Sequence, residues 1–381
     1  MRISVLGFIG RLPLAGVTAH FLQYLLGLRT LGHDVFYIDD SGGRPFDPIH
    51  NAKTMDASYT IEYLTRHLER FAFADRWTYK DPSGNYMGMS KERTHEVLRT
   101  SDLLINVSGG NVLCEEHLRV PKRILIDADP PFLQIFAADG HQNVIDFLKQ
   151  HTTLFTFAEN IGKPSCRIPS AGCTWQTTRQ PVDLDLWPYV FSPNAPTLTT
   201  IMNWDTGRGH IEFRGEVYGE KGVEFIKFAD LPRYTSQLLD IGMAHPPASQ
   251  DQLRARGWRL HDPFPPTRDL WTYQEYLFNS RGEFSVAKNA YVRSWSGWFS
   301  ERSTCYMACG KPVILQDTGF SEWLPTGDGV FAFKTMEEAV EAIAQMNRAY
   351  EHHCKAARRL VEEYFDSDRV LRDLLEKSLC A

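Results

Sequence analysis

The chain has 381 residues, of which 43% are hydrophobic and 23% charged, and its formal net charge is −6. One hydrophobic core stops growing at roughly 250–300 residues, so this length predicts two domains. The acidic balance argues against a protein that binds nucleic-acid backbone, because such binding needs a basic surface. We expect no signal peptide and no membrane span, and a cytoplasmic location with reduced cysteines.

Short apolar strands alternate with helices through the first half of the chain. The predicted strands are Arg2–Leu6, Asp34–Ile38, Leu103–Val107, Arg123–Ile126 and Thr153–Phe157. The predicted helices are Val17–Leu31, Ser58–Phe71, Lys91–Arg99 and Asn143–Lys149. Such alternation predicts a parallel sheet that is covered by helices on both faces.

A proline-rich stretch at 164–196 interrupts this pattern, and a second alternating series follows it. Its predicted strands are Leu198–Asn203, Trp258–Leu260, Glu283–Val286, Pro312–Gln316 and Val330–Phe333. Its predicted helices are Gln250–Arg256, Leu270–Phe278, Ser303–Cys309, Met336–Met346, His352–Tyr364 and Ser367–Lys377. We predict an α/β chain of two doubly wound, Rossmann-like domains, 1–185 and 186–365, that face a central cleft. A C-terminal helix at 366–381 can cross back to the first domain.

The loop between the first strand and the first helix is rich in glycine and contains Gly16. A helix N-terminus offers free N–H groups and a positive partial charge to an anion. His20 follows one turn into this helix, where an imidazole can exchange a proton or contact a sugar. The alternative interpretation of His20 is a side chain packed in the domain.

The segment 281–319 concentrates the features of an anion site. It predicts a strand, an aromatic loop, a helix with Ser300 and Ser303 near its start, and a second strand. Arg302 and Lys288 add cationic donors that match phosphate oxygens. This combination predicts a diphosphate site, and ordinary helix capping with surface charges is the alternative.

Polar residues at other strand ends complete the candidate site. Asn203 and Lys221 follow the first strand of the second domain, and Lys221 can neutralise a diphosphate or be a solvated loop lysine. Asp127, Asp129 and Glu159 follow strands of the first domain, where carboxylates can order acceptor hydroxyls or take a proton. Asp129 can also be a helix N-cap before two prolines.

Several motifs resemble family 4 GT-B glycosyltransferases. The run Tyr306–Ile314 is similar to the family's EAMACGKPVI signature, and Gly16–His20 with Leu31–Val35 resembles its opening motif. Thr318–Glu322 is similar to its GG-x-x-E loop, and the closing helices also match. The resemblance covers both ends of the chain and most of its second half, whereas the middle of the first domain matches little.

The chain departs from this family at two positions. Family members carry two glutamates eight positions apart, the first contacting the transferred sugar and the second the donor ribose. Alignment on Gly310 places Gly297 and Cys305 there. Glu301 or Glu322 can substitute for them.

The resemblance implies a glycosyltransferase that takes a sugar from a nucleotide-sugar donor, linked to UDP, GDP or dTDP. From their positions and residue types we predict catalytic roles for His20, Asp129 and Arg302, with the acceptor bound in the first domain by Asp127 and Glu159. The residues predicted on the donor side are Gly16, Asn203, Lys221, Lys288, Ser300, Ser303, Asp317 and Glu322. The resemblance implies no cofactor and no metal ligands, and it favours retention over inversion at the anomeric carbon.

Two other functions fit the same architecture. A nucleotide-sugar 2-epimerase would convert the donor without an acceptor, and a binding protein that has lost catalysis would hold the donor without turnover. The missing glutamates favour the second of these. The sequence leaves the sugar, the nucleotide, the acceptor and the oligomeric state open.

Overall fold

Two separate parallel sheets divide the chain into two domains. The computed structural model describes residues 1–207, 209–248 and 250–380, apart from the side chain of Cys380. One sheet has eight strands, all before residue 178, and the other has six strands between residues 197 and 333. The predicted α/β class with two doubly wound sheets is confirmed. No helix in the described part of the chain is long and apolar enough to cross a membrane.

The N-terminal sheet has the strand order β10-β9-β8-β7-β1-β2-β5-β6, and only β6 runs antiparallel to its neighbour. Its strands are β1 (Arg2–Leu6), β2 (Asp34–Asp39), β5 (Trp77–Lys80), β6 (Tyr86–Gly88), β7 (Leu103–Val107), β8 (Lys122–Asp127), β9 (Thr153–Thr156) and β10 (Trp175–Thr177), and β3 (Phe46–Asp47) and β4 (Ala52–Lys53) form a separate antiparallel pair. The helices are α1 (Ala15–Thr30), α2 (Ser58–Arg70), α3 (Lys91–Thr100), α4 (Glu115–Leu118), α5 (Phe132–Ala138) and α6 (Gln142–Lys149).

The C-terminal sheet has the order β15-β14-β11-β16-β17-β18, and every neighbouring pair is parallel. Its strands are β11 (Thr197–Asn203), β14 (Leu238–Ala244), β15 (Arg259–His261), β16 (Gly282–Ser285), β17 (Val313–Gln316) and β18 (Val330–Phe333), and β12 (Ile211–Phe213) and β13 (Glu216–Tyr218) form a separate hairpin. The helices are α7 (Lys221–Phe225), α8 (Gln250–Ala255), α9 (Phe264–Thr267), α10 (Leu270–Phe278), α11 (Asn289–Ser294), α12 (Glu301–Ala308), α13 (Met336–Arg348), α14 (Tyr350–Tyr364) and α15 (Ser367–Cys380), with 3-10 turns at Ile226–Phe228, Leu231–Arg233 and Phe320–Glu322.

Strand β14 is the main element that the sequence pattern did not predict. It pairs with β11 over seven residues and with β15 on its other side, so it is an interior strand of the second sheet. Its sequence, LLDIGMA, carries Asp240 and Gly242 within an otherwise apolar run. His261 on the neighbouring β15 compensates the acid, because its Nε2 lies 3.1 Å from Asp240 Oδ1. Asp240 therefore breaks the apolar pattern that predicts a strand, although its ion pair with His261 makes it compatible with one.

The last helix returns to the N-terminal domain. α15 packs on α1, where a Cβ added to Gly27 would lie 2.5 Å from the Leu371 side chain. The two chain crossings between the domains run side by side, because Val182 pairs with Asp366 in a parallel bridge. The Val182 N–H donates to the Phe365 carbonyl at 2.8 Å, and the Ser367 N–H donates to the Val182 carbonyl at 2.9 Å. The carboxyl ends of both sheets meet at the groove between the domains.

Candidate active site between the two domains

Two glycines of the first loop, Gly7 and Gly10, are closely packed against aromatic side chains and leave no space for a ligand. A Cβ on Gly10 would lie 2.5 Å from the ring of Tyr79, and one on Gly7 would overlap Tyr37. Asp39, at the end of β2, fixes the loop by accepting the Gly10 N–H at 2.6 Å. Gly16 differs, because it is exposed and a Cβ there would meet nothing within 4 Å. Open space for a ligand therefore remains at the N-terminus of α1.

His20 lies on α1 at the contact between the domains. It is 7% exposed, and its Nε2 lies 3.0 Å from Ser108 Oγ. Its Nδ1 has no hydrogen-bond partner in the described part of the chain, although the side chain of Gln180 is its neighbour. Burial lowers the pKa of His20, and the Glu301 carboxylate from the other domain opposes this shift. His20 is therefore a neutral imidazole at neutral pH with one ring nitrogen available.

Arg302, one residue into α12, is engaged within the C-terminal domain. Its Nε donates to Glu283 Oε1 at 2.6 Å, and its two terminal nitrogens donate to the Ile201 carbonyl and to Ser285 Oγ, each at 2.8 Å. Glu283 is fully buried, and its other oxygen has no partner among the described residues. Arg302 thus ties the ends of β11 and β16 together, and its predicted contact with a diphosphate stays a prediction.

Lys221 has no direct counter-ion among the residues that the structure describes. It begins α7, is half-buried, and makes no hydrogen bond or ion pair within the residues that the structure describes. Burial lowers its pKa to about 7, and the charges of Arg302 and Lys288 act in the same direction, whereas Glu283 and Glu301 oppose them. An anion placed here would meet an ammonium group that no carboxylate in the described part of the chain contacts directly.

Lys288 bridges the two domains. Its Nζ lies 2.9 Å from both carboxylate oxygens of Asp129, at the end of β8, and the Tyr291 hydroxyl donates to the same carboxylate. The Trp298 indole N–H donates to the Ala128 carbonyl at 3.0 Å. These contacts hold the carboxyl end of β8 against α11 and the loop before α12.

Asp127 is buried beneath this bridge. Its carboxylate accepts hydrogen bonds from Gln134 at 2.6 Å and from Thr156 at 3.0 Å. Burial raises the pKa of Asp127 to about 6, although the Gln134 hydrogen bond opposes the shift, and the Asp129 carboxylate adds to it. Asp127 is only 3% exposed. Its hydrogen bonds therefore hold the ends of β8 and β9 and the start of α5 together next to Asp129.

Asn160 occupies the space directly beside Gly297. Gly297 has φ +75°, and a Cβ there would lie 2.8 Å from Asn160 Cγ. The Asn160 N–H donates to the Ser296 carbonyl at 3.0 Å, and its side-chain amide donates to the Gly319 carbonyl at 2.9 Å. The N-terminal domain therefore fills the space that a glutamate at position 297 would need. Cys305, at the second position, is buried and donates to the Glu301 carbonyl.

Other predicted site residues serve the loops around the groove. Asp317 accepts the Gly319 N–H at 2.9 Å and the Ser321 hydroxyl at 2.7 Å, so it shapes the loop after β17. Glu322 is exposed and accepts the Trp295 indole N–H at 2.5 Å. Glu159 pairs with Arg179 at 2.5 Å, and that guanidinium lies over the Trp323 ring.

Three predicted donor-side residues keep free polar atoms. Asn203 is exposed at the end of β11, and Ser300 is the N-cap of α12 without a side-chain capping bond. The Ser303 hydroxyl is buried and has no partner in the described part of the chain.

Sequence reasoning missed the residues around His20. Ser108 has φ +60° directly after β7, and Gln180 lies in the proline-rich connection. The position of Ser108 at a strand end is a signal that could have identified it. Gln180 carries no such signal, because only the course of the connection brings it to α1.

The fold matches solved structures along the whole chain, whereas no family model matches and no curated protein matches. An alpha-glucosyltransferase in complex with UDP is 13% identical with a TM-score of 0.61, and all of both chains is covered. Anabaena HepE in complex with UDP-glucose is 12% identical with a TM-score of 0.58, covering 100% of this chain and 99% of that one. Sucrose-phosphate synthase from Thermosynechococcus elongatus is 12% identical with a TM-score of 0.56, covering 99% and 98%. The chain thus has the two-domain GT-B fold of these glycosyltransferases.

Proposed function

We propose that this protein is a glycosyltransferase that moves a sugar from a nucleoside-diphosphate sugar to an acceptor nucleophile. The observation that carries the proposal is Lys221, an uncompensated and half-buried cation at the groove between the domains. The fold neighbours that hold UDP or UDP-glucose favour UDP as the nucleotide. We infer that the diphosphate binds between Lys221 and the first turn of α12, with Ser303 as a hydroxyl donor.

The chemistry follows from where charge develops. When the bond from the anomeric carbon to the leaving oxygen breaks, negative charge grows on the diphosphate. A fixed cation and a helix N-terminus at that point lower the barrier, and such electrostatic stabilisation is usually the largest single contribution to catalysis. Arg302 acts as a positioning residue in this scheme, because its three contacts hold β11, β16 and α12 in place around Lys221.

His20 and Glu301 face the position of the transferred sugar in this proposal. The free Nδ1 of His20 can hydrogen-bond a sugar hydroxyl, and Glu301 can supply the acceptor oxygens that family glutamates supply. The Lys288–Asp129 bridge keeps the domains together over the donor, which excludes water that would otherwise hydrolyse it. We expect retention at the anomeric carbon, and NMR of the first-formed product would measure it.

Asp129 and the remaining acceptor-side residues have a narrower role in this proposal. Lys288 and Tyr291 hold the Asp129 carboxylate, so it accepts a proton from an acceptor hydroxyl only after that bridge loosens. Asp127 and Glu159 order the strand ends on which the acceptor binds. The acceptor is set by the N-terminal domain, and the net charge of −6 argues against a nucleic-acid backbone.

A thermal-unfolding screen of UDP-, GDP- and dTDP-sugars tests donor binding. A ligand that binds only the native state at 100 times its Kd stabilises the protein by about 2.7 kcal/mol. We expect UDP-sugars to raise the Tm, and we expect Lys221→Met to abolish most of the rise. Lys227→Met is the matched control, because Lys227 is exposed and pairs with Glu224 at 2.8 Å. An equal response in both variants would remove Lys221 from the donor site.

Product analysis then separates the three functions. Chromatography of a stabilising donor after incubation should show slow release of UDP and free sugar, because a transferase without acceptor uses water. A 2-epimerase would instead yield a new sugar nucleotide. A binding protein would return the donor unchanged, even with a panel of acceptors.

A further inference from the structure

A cluster of side chains outside the groove has the composition of a zinc site. We propose that Asp40, Cys114 and His117 bind one zinc ion on the N-terminal domain. One ligand atom from each of these residues lies within 4.8 Å of the other two. Asp40 follows β2, whereas Cys114 and His117 lie at the start of α4, after β7. The site would tie together two loops at the carboxyl edge of the sheet.

The distances suit a common tetrahedral ion. Cys114 Sγ and His117 Nδ1 are 3.3 Å apart. Zinc binds sulfur at about 2.3 Å and imidazole nitrogen at about 2.0–2.1 Å, so two such ligands at a tetrahedral angle lie about 3.5 Å apart. Glu116 Oε2 accepts a hydrogen bond from Cys114 Sγ at 3.2 Å, and a solvent molecule would be the fourth ligand.

The three side chains line one cavity that also contains charged neighbours. The cluster lines a cavity of about 230 Å³, and His117 is 1% exposed. Lys80 Nζ lies 3.1 Å from Asp40, so it neutralises one of the three negative charges that Asp40, Glu116 and a Cys114 thiolate would carry. A divalent cation would balance the remaining two.

The choice of zinc follows from the ligand types. A thiolate with an imidazole and a carboxylate is a borderline-soft set, which suits zinc and disfavours magnesium or calcium. Binding forms the sulfur–zinc bond while the thiol proton leaves to the solvent, and the ion replaces the Cys114 N–H as the partner of His117 Nδ1. The role is structural, because the cluster belongs to the N-terminal domain and none of its members contacts Lys221 or His20.

The competing explanation is a helix cap. Cys114 is the N-cap residue of α4, and its N–H donates to His117 Nδ1 at 3.2 Å. A cap accounts for the Cys114–His117 contact, and the ion pair with Lys80 accounts for part of the position of Asp40, but neither requires the Asp40 carboxylate to lie within 4.8 Å of both other ligand atoms. The two explanations differ in whether the protein binds a metal through sulfur.

Cobalt(II) titration of the full-length, metal-free protein decides between them, because a cobalt–thiolate bond produces a charge-transfer band in the near ultraviolet. We expect the band to saturate at one cobalt per chain and to disappear on addition of zinc. Cys114→Ser should abolish the band. Asp40→Asn should keep it but weaken cobalt affinity by roughly 10–100-fold or more, as loss of even an outer-shell partner does.

Two matched controls locate the metal. Cys166→Ser removes a half-buried thiol that lies outside the cluster, and His352→Gln disrupts a second His/Asp cluster, with Asp328 and His353, that has no sulfur. Both should leave the band and the affinity unchanged. The proposal is overturned if wild-type protein shows no band, or if the band survives Cys114→Ser. Circular dichroism checks the fold, and Asp40→Asn gives the answer if Cys114→Ser does not fold.

Discussion

Lys221 should make donor binding depend on pH. Burial and the neighbouring charge of Arg302 bring its pKa to about 7 in the free protein, so about half of the molecules carry the ammonium form at pH 7. A bound diphosphate favours the charged form and raises this pKa. Binding therefore takes up a proton at Lys221, and the affinity is highest below pH 7 and falls as the pH rises through it.

The size of the effect follows from the protonated fraction. That fraction falls about tenfold between about pH 6 and about pH 8 for a pKa near 7. The affinity for UDP-glucose should fall by the same factor, which is about 1.4 kcal/mol of binding free energy. UDP-glucose is preferred to UDP as the ligand, because a terminal phosphate has its own ionisation near pH 6.

Isothermal titration calorimetry over this pH range measures both the affinity and the protons taken up. Lys221→Arg should bind with little pH dependence, since a guanidinium stays charged throughout. Lys227→Arg, on the exposed side of the same region, should behave as the wild type. An unchanged pH dependence in Lys221→Arg, or a wild-type affinity that does not fall with pH, would refute the reasoning.

Three further predictions concern stability. Gly297→Ala places a Cβ at φ +75° against Asn160, so it should lower the free energy of unfolding by about 1–3 kcal/mol in a urea titration. Leu371→Ala should cost about 2–5 kcal/mol, because Leu371 is fully buried. Asp127→Asn should stabilise the protein at pH 8 by about 1–3 kcal/mol, since the pKa of about 6 makes the ionised carboxylate unfavourable in the fold.

Each of these has its own control. Gly16→Ala, in open space on α1, should be neutral or slightly stabilising, and a loss as large as that of Gly297→Ala would contradict the steric argument. Leu379→Ala removes an exposed leucine of the same helix and should cost little. The gain from Asp127→Asn should shrink as the pH falls from about 6 to about 4 and be lost below that, where Asp127 is protonated in both states. A gain that does not change with pH would contradict the linkage.

The sequence predicted the fold well because hydrophobic periodicity records which residues are buried. The strands β1, β7 and β18 have the predicted bounds, and the helices differ by a few residues at their ends. Strand β14 escaped because Asp240 interrupts its apolar run, and its compensation by His261 lies in another strand. Hydrophobic periodicity is read from residues close together in sequence, whereas Asp240 and His261 meet only in the folded sheet.

The candidate site was only partly predictable for the same reason. Residue type and strand-end position identified Lys221, His20 and Asp129 as candidates. They did not indicate which charges pair, so the ion pair between Arg302 and Glu283 was not predicted. The partner of Arg302 lies 19 residues away on a neighbouring strand, and only the register of the sheet brings it within reach.

The chain crosses between the domains twice, at Val182 and at Asp366, and this determines where labels must be placed to measure movement of one domain relative to the other. Because α15 packs on α1, labels near residue 2 and near residue 378 would travel on the same rigid body and report no change in separation when the groove opens. A pair of labels on α3 and α13 would report the change, because these helices belong to different domains on either side of the Val182–Asp366 bridge. A fluorescent protein fused after residue 380 would likewise report on the domain that carries β1.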